Sequence, residues 1–557
     1  MLIEIQCDKF VSNGQMRPPI KFHPGLNAIL GDEDRSNSIG KSTLLMILDF
    51  VFGGDDYIKK CADVQENVLE HTINFTFEFK NKKYCFARNT VDYMHVSKCD
   101  SNYEPLEGVE KLHIDEYRDF LAEKYEVNTE GLSWRGAMSK FIRVYKRETM
   151  DEERPLQAAK AEQIKDAIKK YMQQFGKYAI VEAQIKQAAD AEDEKEAFRK
   201  SQLYNHIRGA KNQKEYDENE KKIVELVQRE KELAENSSQG LLDLDSVQAQ
   251  RISELNDLLI SYRRQRVKVQ TQLNSIRREM IEGKKTFKKT FSDLEKYFPE
   301  SEFKALEEVE KFNQSLAKVL TAEFKETEKD LATAYILLGN EIVKIKEQIA
   351  EIKSIPNVTQ AVLKEYARIT SELFNVQEAN KNFKTLERLK SLAQEYAQMR
   401  DEVIERQLSD IQTQVNSKMR EISARILNNT TQRSPELKLE KLGKYSFSIR
   451  DDGGSGAQFR GLITFDLANM EISDIPFIVH DSDLLDPIEK PALTEIIKEY
   501  NAVGSRGKQA FVSFRSLDFY AEEAQPIISG CKIIELSSGG NELFGRDWNK
   551  EPIKESN

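Results

Sequence analysis

The middle of the chain, residues 155–427, constrains the fold more than any other part of the sequence. Glycine and proline are scarce there, and Glu, Lys, Gln, Ala and Leu dominate. Apolar residues recur at alternating spacings of three and four, which keep one narrow apolar seam facing a partner helix. The pattern predicts long coiled-coil helices, with a bundle of amphipathic helices as the alternative. The seam positions are Ile252, Leu255, Leu259, Tyr262, Val269, Leu273, Ile276 and Met280, then Tyr335, Leu338, Ile342, Ile345, Ile349 and Ile352, and then Ile404, Leu408, Ile411 and Val415.

Three short segments interrupt this helical pattern, at residues 236–240, 298–301 and 354–357. The second lies near the centre of the helical region, and the other two lie on either side of it. The simplest geometry is an arm that leaves over residues 155–290, turns within 291–315 and returns over 316–427. The sequence therefore predicts an antiparallel coiled coil with paired bends.

Both ends of the chain have the sequence pattern of an α/β fold. Strands are predicted at residues 2–5 and 26–30, and a hairpin at 72–79 and 83–86. Strands return at 445–449, 476–479 and 510–513. Because an arm that doubles back brings the two ends together, we expect residues 1–154 and 428–557 to form one head. The predicted fold class is an α/β P-loop head split between the chain ends, with a long antiparallel coiled-coil arm.

The composition and net charge limit the kinds of partner that we expect the chain to bind. The 557 residues are 39% hydrophobic and 32% charged, and the formal net charge is −11, which opposes attraction of the whole chain to nucleic acid. Basic runs at 262–266 and 284–289 are local exceptions, with a solvated coiled-coil face as the alternative. The N-terminus lacks the pattern of a secretory signal, and no apolar stretch approaches the ~18 residues of a membrane span. We therefore expect a cytoplasmic protein without membrane contacts.

The strongest motif for chemistry is the sequence SIGKST at residues 38–43, which follows a predicted strand and precedes an apolar run. Strand, loop and helix in that order are the context of a phosphate-binding P-loop. Lys41 would reach the β- and γ-phosphates, and the Ser42 hydroxyl would ligate Mg²⁺. The glycine expected five positions before Gly40 is Arg35, and Gly31 could supply that turn if 32–35 is an insertion. The predicted nucleotide-contacting residues are Asn37, Ser38, Ile39, Gly40, Lys41, Ser42 and Thr43.

A second motif is the apolar strand at 476–479 that leads through His480 to Asp481. An Asp at the carboxyl edge of a sheet, beside a P-loop, can hold Mg²⁺ through water. Hydrolytic heads of the ABC type carry a glutamate next, but here Ser482 follows, and serine is no general base at neutral pH without a partner. Asp483 is near, and we expect it to point differently on an extended segment. Lys41 and Asp481 are thus the predicted catalytic pair, and hydrolysis is expected to be slow or to need another group.

The third motif is the glycine-rich segment 453–458, followed by a helical run at 459–470. A small Ser-Gly segment at a helix N-terminus can cap a γ-phosphate, which makes Ser455 and Gly456 candidates for nucleotide contact. A flexible turn before a helix is the alternative.

The order of P-loop, long coiled coil, Ser-Gly segment and Asp-terminated strand resembles the SMC/RecN-like ATPases. The segments SNSIGKST, FVFGGDDY and HDS resemble a bacterial branch that includes the SMC-like subunits of Lamassu-type defence systems. The resemblance implies ATP and Mg²⁺ as cofactors. It also implies a homodimer through heads and arms, with each ATP held between the P-loop of one head and Ser455 and Gly456 of the other.

The same resemblance assigns further positions. Asp486 would lie in the loop that crosses to the partner head, and Ser513 occupies the place of a switch histidine. A glutamine loop would fall within residues 134–143. No cysteine lies between residues 100 and 530, so no zinc hook is expected at the arm apex.

The family's biology implies contacts to the DNA backbone without sequence specificity, an effector nuclease and a small accessory subunit. A RecN-like DNA repair ATPase is one alternative. A coiled-coil scaffold that binds ATP without hydrolysing it is another, and Ser482 favours it.

Overall fold

The computed structural model describes residues 1–32, 39–127, 131–203, 208–237, 245–294, 303–352, 360–428, 434–450 and 453–546. The chain divides into two compact units. One contains Met1–Ala183 and Asp401–Asn557, and the other contains Gln184–Arg400. The strands of the first unit are β1 (Leu2–Gln6), β2 (Val11–Ser12), β3 (Gln15–Met16), β4 (Ile20–Lys21), β5 (Gly25–Leu30), β6 (Thr72–Phe79), β7 (Lys82–Asn89), β8 (His95–Cys99), β9 (Leu112–His113), β10 (Ile142–Arg143), β11 (Pro435–Lys441), β12 (Lys444–Ile449), β13 (Phe477–His480), β14 (Gln509–Ser513) and β15 (Lys532–Glu535).

The α-helices follow the same chain order, and two of them, α7 and α11, pass from one unit into the other. The helices are α1 (Lys41–Val51), α2 (Asp56–Lys60), α3 (Ala62–Val68), α4 (Ile114–Lys124), α5 (Trp134–Met138), α6 (Ile164–Gln174), α7 (Tyr178–Leu203), α8 (Gln213–Ser237), α9 (Asp245–Leu294), α10 (Phe303–Ile352), α11 (Gln360–Ile426), α12 (Ser455–Ile472), α13 (Lys490–Ala502) and α14 (Gln525–Gly530).

A five-stranded parallel sheet, in the order β10-β13-β14-β5-β15, combines strands from both ends of the chain. Every residue of β5, β13 and β14 is buried, as expected for parallel strands that are covered on both faces. In the ladder Ala28 lies opposite Val512, and Phe511 lies opposite Val479. Because the strands are parallel, their carboxyl ends meet at one edge of the sheet.

A six-stranded antiparallel sheet, in the order β4-β1-β6-β7-β8-β9, forms the other large sheet of this unit. The hairpin predicted from period-two alternation is confirmed as β6 and β7. Its turn is Lys80 and Asn81, both with positive φ (50° and 62°), the geometry of a two-residue hairpin turn.

The C-terminal end of α1 is fixed by side chains from later segments. The carbonyl oxygens of residues 50–54 accept hydrogen bonds from Arg88, Tyr117, Trp134 and Arg118, with distances between 2.6 and 2.9 Å. Carbonyls at a helix end lack partners within the helix, so these donors satisfy them inside the core. The result is a helix held rigidly at the end opposite to the predicted P-loop.

The sequence placed the other strands correctly, since the predicted segments fall on β1, β5, β12, β13 and β14. The helical run at 459–470 lies within α12. The extended segment expected after Asp481 is wrong, because Ser482–Leu484 forms a 3₁₀ turn. The Asp481 Oδ1 atom accepts a hydrogen bond from the Ser482 N–H (2.9 Å), and this side-chain cap starts the turn.

In the second unit the predicted seam is confirmed between α9 and α10. Leu255 and Leu259 pack with Ile342 and Ile345. Farther along, Val269 packs with Ala334 and Leu338, so the two helices run antiparallel. Arg266, which interrupts the heptads, lies 4.2 Å over the ring of Tyr335 and beside Gly339.

The predicted breaks fall largely outside the described residues. The gap 238–244 covers most of the first, 295–302 covers the second and lies within the predicted apex 291–315, and 353–359 covers the third. The limits of the two units lie inside α7 and α11. The assignment of 1–154 and 428–557 to a head, and of 155–290 and 316–427 to an arm, stays a prediction. None of the helices in the described ranges is both long and apolar enough to cross a bilayer.

A buried charge cluster links four elements of the first unit. Arg143 on β10 binds Asp466 on α12 through two hydrogen bonds of 2.7 Å, and both side chains are fully buried. Burial opposes the charge of Asp466, but Arg143 holds the pKa of this carboxyl below its usual range. The His480 Nε2 lies 2.9 Å from Asp466, and its Nδ1 lies 2.7 Å from the Tyr500 hydroxyl. Burial lowers the pKa of His480, which favours the neutral ring that donates to Asp466 and accepts from Tyr500.

Replacing Asp466 with Ala should lower the free energy of unfolding of this unit by about 3–5 kcal/mol, because Arg143 would stay buried without a counter-charge. Urea unfolding followed by the fluorescence of buried Trp134, in a Trp548→Phe background, measures the change. Glu495→Ala is the control: it breaks a solvent-accessible pair with Lys498 and should cost about 0–1 kcal/mol. Equal losses of unfolding free energy in Asp466→Ala and Glu495→Ala would contradict the structural role of the cluster.

Candidate functional site

A cleft of about 750 Å³ lies at the carboxyl edge of the parallel sheet, where open α/β sheets bind ligands. The residues that line it come from the loops after β5, β10, β13 and β14, from the start of α1 and from the segment after β15. They are Asp32, Ile39, Gly40, Lys41, Ser42, Thr43, Asp63, Tyr145, Lys146, Ser482, Asp483, Asp486, Arg515, Ser516, Asp518, Phe519, Glu542, Leu543, Phe544 and Arg546.

The start of α1 requires glycine at position 40. Gly40 has φ +101°, and a Cβ atom there would lie 2.5 Å from the Cβ of Leu543. Leu543 in turn donates its N–H to the carbonyl oxygen of Ile39 (2.9 Å), which fixes the loop against the segment after β15. No side chain in the described part of the chain caps the helix, so its first N–H groups are available to an anion.

Lys41 folds back across Gly31. A Cβ atom on Gly31 would lie 2.7 Å from the Lys41 Nζ, so a side chain at this position would displace the ammonium group. Burial lowers the pKa of Lys41, against the opposing charges of Asp481, Asp486 and Asp32. Lys41 is therefore a partly desolvated cation that faces three carboxylates.

Several predicted P-loop positions lie outside the described residues, namely Arg35, Asn37 and Ser38. Whether 32–35 is an insertion stays a prediction. Ile39, Gly40, Lys41, Ser42 and Thr43 all line the cleft, and their contact with a nucleotide stays a prediction.

Three carboxylates around Lys41 each have a buried oxygen without a hydrogen-bond partner in the described residues. These atoms are Asp32 Oδ1, Asp481 Oδ2 and Asp486 Oδ1. Buried carboxylate oxygens normally have partners, so these three point to a missing cationic ligand. They suit Mg²⁺, which prefers oxygen ligands and keeps several of its waters. Within the described ranges no group of three His, Cys, Asp or Glu side chains could hold a metal ion, so Mg²⁺ would be bound by one or two of these carboxylates together with water and phosphate.

The residues after Asp481 are held by a small hydrogen-bond network. The Ser482 N–H donates to Asp481 Oδ1 (2.9 Å) and to Ser513 Oγ (2.7 Å), and the Ser513 hydroxyl donates to Asp481 Oδ1 (2.9 Å). Ser513, predicted at a switch position, is thus buried and positions Asp481. Asp483 lines the cleft, where partial desolvation and the charges of Asp481 and Asp486 raise its pKa.

Ser455 and Gly456 do not line this cleft. They begin α12, and a Cβ atom on Gly456 would lie 2.3 Å from the carbonyl oxygen of Pro487. The helix start therefore packs directly on the segment that follows Asp481. Within one chain Lys41 and Ser42 line the cleft, and the charge of Asp481 acts on Lys41 although Asp481 itself, like the Ser-Gly segment, does not line the cleft.

The segment 134–143, predicted to contain a glutamine loop, has structural contacts. Trp134 donates to the carbonyl oxygen of Phe52 (2.8 Å), Arg135 binds the buried Asp49 (2.7 Å), and Arg143 binds Asp466. The cleft residues come from just beyond this segment, at Tyr145 and Lys146.

Sequence reasoning missed Arg515, Lys146 and the residues 542–544. Arg515 follows β14 by two positions and forms an ion pair with Asp486 inside the cleft. A basic residue soon after a predicted buried strand, at the same sheet edge as the P-loop, was the available signal. The segment 542–544 has no comparable signal.

Comparisons with known proteins identify little of the chain. A family model described as "Uncharacterised protein conserved in bacteria (DUF2326)" matches residues 422–548. No curated protein matches.

Three solved structures are similar at low identity. The first is the Smc head domain with a coiled coil and joint from Pyrococcus yayanosii, with 13% identity, a TM-score of 0.43, and coverage of 98% of this chain and 96% of that chain. The second is the Smc head domain with an extended coiled coil bound to the C-terminal domain of ScpA from Pyrococcus furiosus, with 11% identity, a TM-score of 0.34, and coverage of 98% of this chain and 95% of that chain. The third is the SmcHead bound to the C-winged helix domain of ScpA, with 9% identity, a TM-score of 0.34, and coverage of 98% of this chain and 96% of that chain.

Gly31→Ala should raise the pKa of Lys41 toward its ordinary value, because the added methyl group displaces the ammonium from its partly buried position. NMR titration of isotopically methylated lysines, with Lys41→Arg to assign the signal, measures the shift. Gly443→Ala is the matched control, since nothing lies within 4 Å of a Cβ atom there. An unchanged Lys41 pKa in Gly31→Ala would contradict the contact between these two residues.

Proposed function

We propose that this chain is an SMC-like protein that binds ATP with Mg²⁺ in the cleft at the edge of its parallel sheet. The observation that carries the proposal is the placement of Lys41 across Gly31, at the open N-terminus of α1, facing three carboxylates with unsatisfied oxygens. The α1 N–H groups and Lys41 would bind the phosphates. Ser42 and Asp481 would hold Mg²⁺, which neutralises phosphate charge when bound.

The position of the Ser-Gly segment supports a dimer. Ser455 and Gly456 do not line the cleft of their own chain, and the resemblance to SMC heads implies that they contact the nucleotide of a second copy. We infer a homodimer in which each ATP lies between Lys41 of one chain and Ser455 of the other. The antiparallel pairing of α9 and α10 supplies the coiled coil that such a protein uses as an arm.

The residues after Asp481 favour holding ATP over rapid turnover. Ser482 stands where a hydrolytic site needs a carboxylate, and its backbone N–H holds the turn through Asp481 and Ser513. Asp483 is the next carboxylate in the cleft, and its raised pKa makes it a stronger base than an ordinary Asp. We propose slow hydrolysis, with ATP acting mainly as a ligand that joins two copies.

ATP with Mg²⁺ should convert the protein from monomer to dimer, as measured by light scattering after size-exclusion chromatography. Lys41→Ala should bind no ATP and stay monomeric. Ser455→Arg should bind ATP normally yet stay monomeric, because Ser455 serves the partner's nucleotide. Lys498→Ala, which removes an exposed lysine of α13, is the matched control and should dimerise like the wild type.

A wild type that binds no ATP would contradict the nucleotide site. A Ser455→Arg variant that dimerises normally would contradict the shared arrangement while leaving the cleft assignment intact.

The sequence resemblance extends the proposal to partners. We propose that the dimer contacts the DNA backbone without sequence specificity and regulates an effector nuclease, together with a small accessory subunit, in a defence system against phages or plasmids. A RecN-like repair clamp and an ATP-dependent scaffold are the alternatives.

Purification of the tagged protein from its native operon, with and without plasmid or phage DNA, should recover a nuclease-like partner in fixed stoichiometry, identified by mass spectrometry. Lys41→Ala purified in parallel tests whether that association needs nucleotide. Recovery of a homodimer with DNA and no effector would instead favour the repair clamp. Recovery of the protein with neither an effector nor DNA would favour the scaffold.

A further inference from the structure

Arg515 occupies a fixed position beside the P-loop. Its neighbour Phe514 donates its N–H to the carbonyl oxygen of Ile29 (2.8 Å) and accepts from the N–H of Gly31 (3.1 Å). The N–H of Arg515 itself donates to the Tyr520 hydroxyl (3.0 Å). The backbone of Arg515 is therefore attached to the residues that also position Lys41.

The guanidinium group of Arg515 is only partly neutralised. It pairs with Asp486 and lies 4.9 Å over the ring of Phe519, and its side chain is 31% exposed toward the cleft. Asp486 binds it through one oxygen, Oδ2, while Oδ1 is buried without a hydrogen-bond partner among the described residues. The charge of Arg515 acts on Lys41, so the two cations share one electrostatic environment.

We propose that Arg515 senses the terminal phosphate of the bound nucleotide, exchanging its contact with Asp486 for a contact with that phosphate. The inference rests on the proposed ATP site and adds a residue that distinguishes ATP from ADP. A guanidinium group binds phosphate oxygens through paired, charge-assisted hydrogen bonds, and a phosphate offers more acceptor atoms than the single Asp486 oxygen in use. A diphosphate held by Lys41 lacks the group that would draw Arg515 away.

Exchange of the Arg515 contact would also affect the start of α12, which contains Ser455. Asp486 belongs to the turn after Asp481, where its N–H donates to the carbonyl oxygen of Ser482 (3.1 Å). The next residue, Pro487, packs against Gly456 so closely that no side chain fits between them. Release of Asp486 from Arg515 therefore alters the turn on which the start of α12 rests, and it leaves a carboxylate free at that surface.

The test compares ATP and ADP binding, each with Mg²⁺, by calorimetry on the full chain. The wild type should prefer ATP. Arg515→Gln should weaken ATP binding by about tenfold or more, the size expected for a lost charge-assisted contact, while ADP affinity changes less than about threefold. Arg515→Lys keeps the positive charge but loses the paired hydrogen-bond geometry. Its ATP affinity should lie between those of the wild type and Arg515→Gln. Asp486→Asn should strengthen the ATP preference, because Arg515 loses its competing partner.

Arg506→Gln is the matched control, since Arg506 pairs with Glu471 and does not line the cleft. Its ATP preference should equal that of the wild type. Absence of nucleotide binding by the wild type would overturn the proposed function itself. Normal binding with the same ATP preference in Arg515→Gln and Arg515→Lys would overturn only the sensing role of Arg515.

Discussion

Strand β5 hydrogen-bonds on one side to β14 and on the other to β15, so a strand near the start of the chain lies between two strands near its end. The cleft depends on this pairing. It sets Gly31 beside Phe514, and thereby places the loop into α1 and the loop that contains Arg515 at one sheet edge. Without that register Lys41 would face no carboxylate from the turn after β13, and neither chain end would have a complete site.

The charge cluster of Arg143, Asp466 and His480 supplies a second constraint. Asp466 belongs to the helix that starts at Ser455, and His480 directly precedes Asp481. A buried ion pair adds little net stability, but it penalises any packing that separates its partners. The Ser-Gly helix and the strand that leads to Asp481 are thus held in one arrangement.

Periodic signals explain what the sequence predicted well. The seam of Leu255, Leu259, Ile342 and Ile345 and the hairpin of β6 and β7 follow from local spacing, which needs no knowledge of distant contacts. The extended segment after Asp481 was wrong because a side-chain cap started a 3₁₀ turn, and a single Asp before Ser-Asp-Leu does not reveal this. Arg515 was missed for a related reason, since one basic residue after a strand has no spacing pattern.

The sequence by itself determined the order of strand, loop, Gly40, Lys41, Ser42 and helix, and it determined the apolar seam. Both are properties of neighbouring residues. Only the tertiary structure decided which carboxylates surround Lys41, that Ser513 positions Asp481, and that Ser455 lies apart from the cleft of its own chain. The physical reason is that these contacts join residues far apart in the chain, and their distances are set by strand register and by the packing of α12 on Pro487.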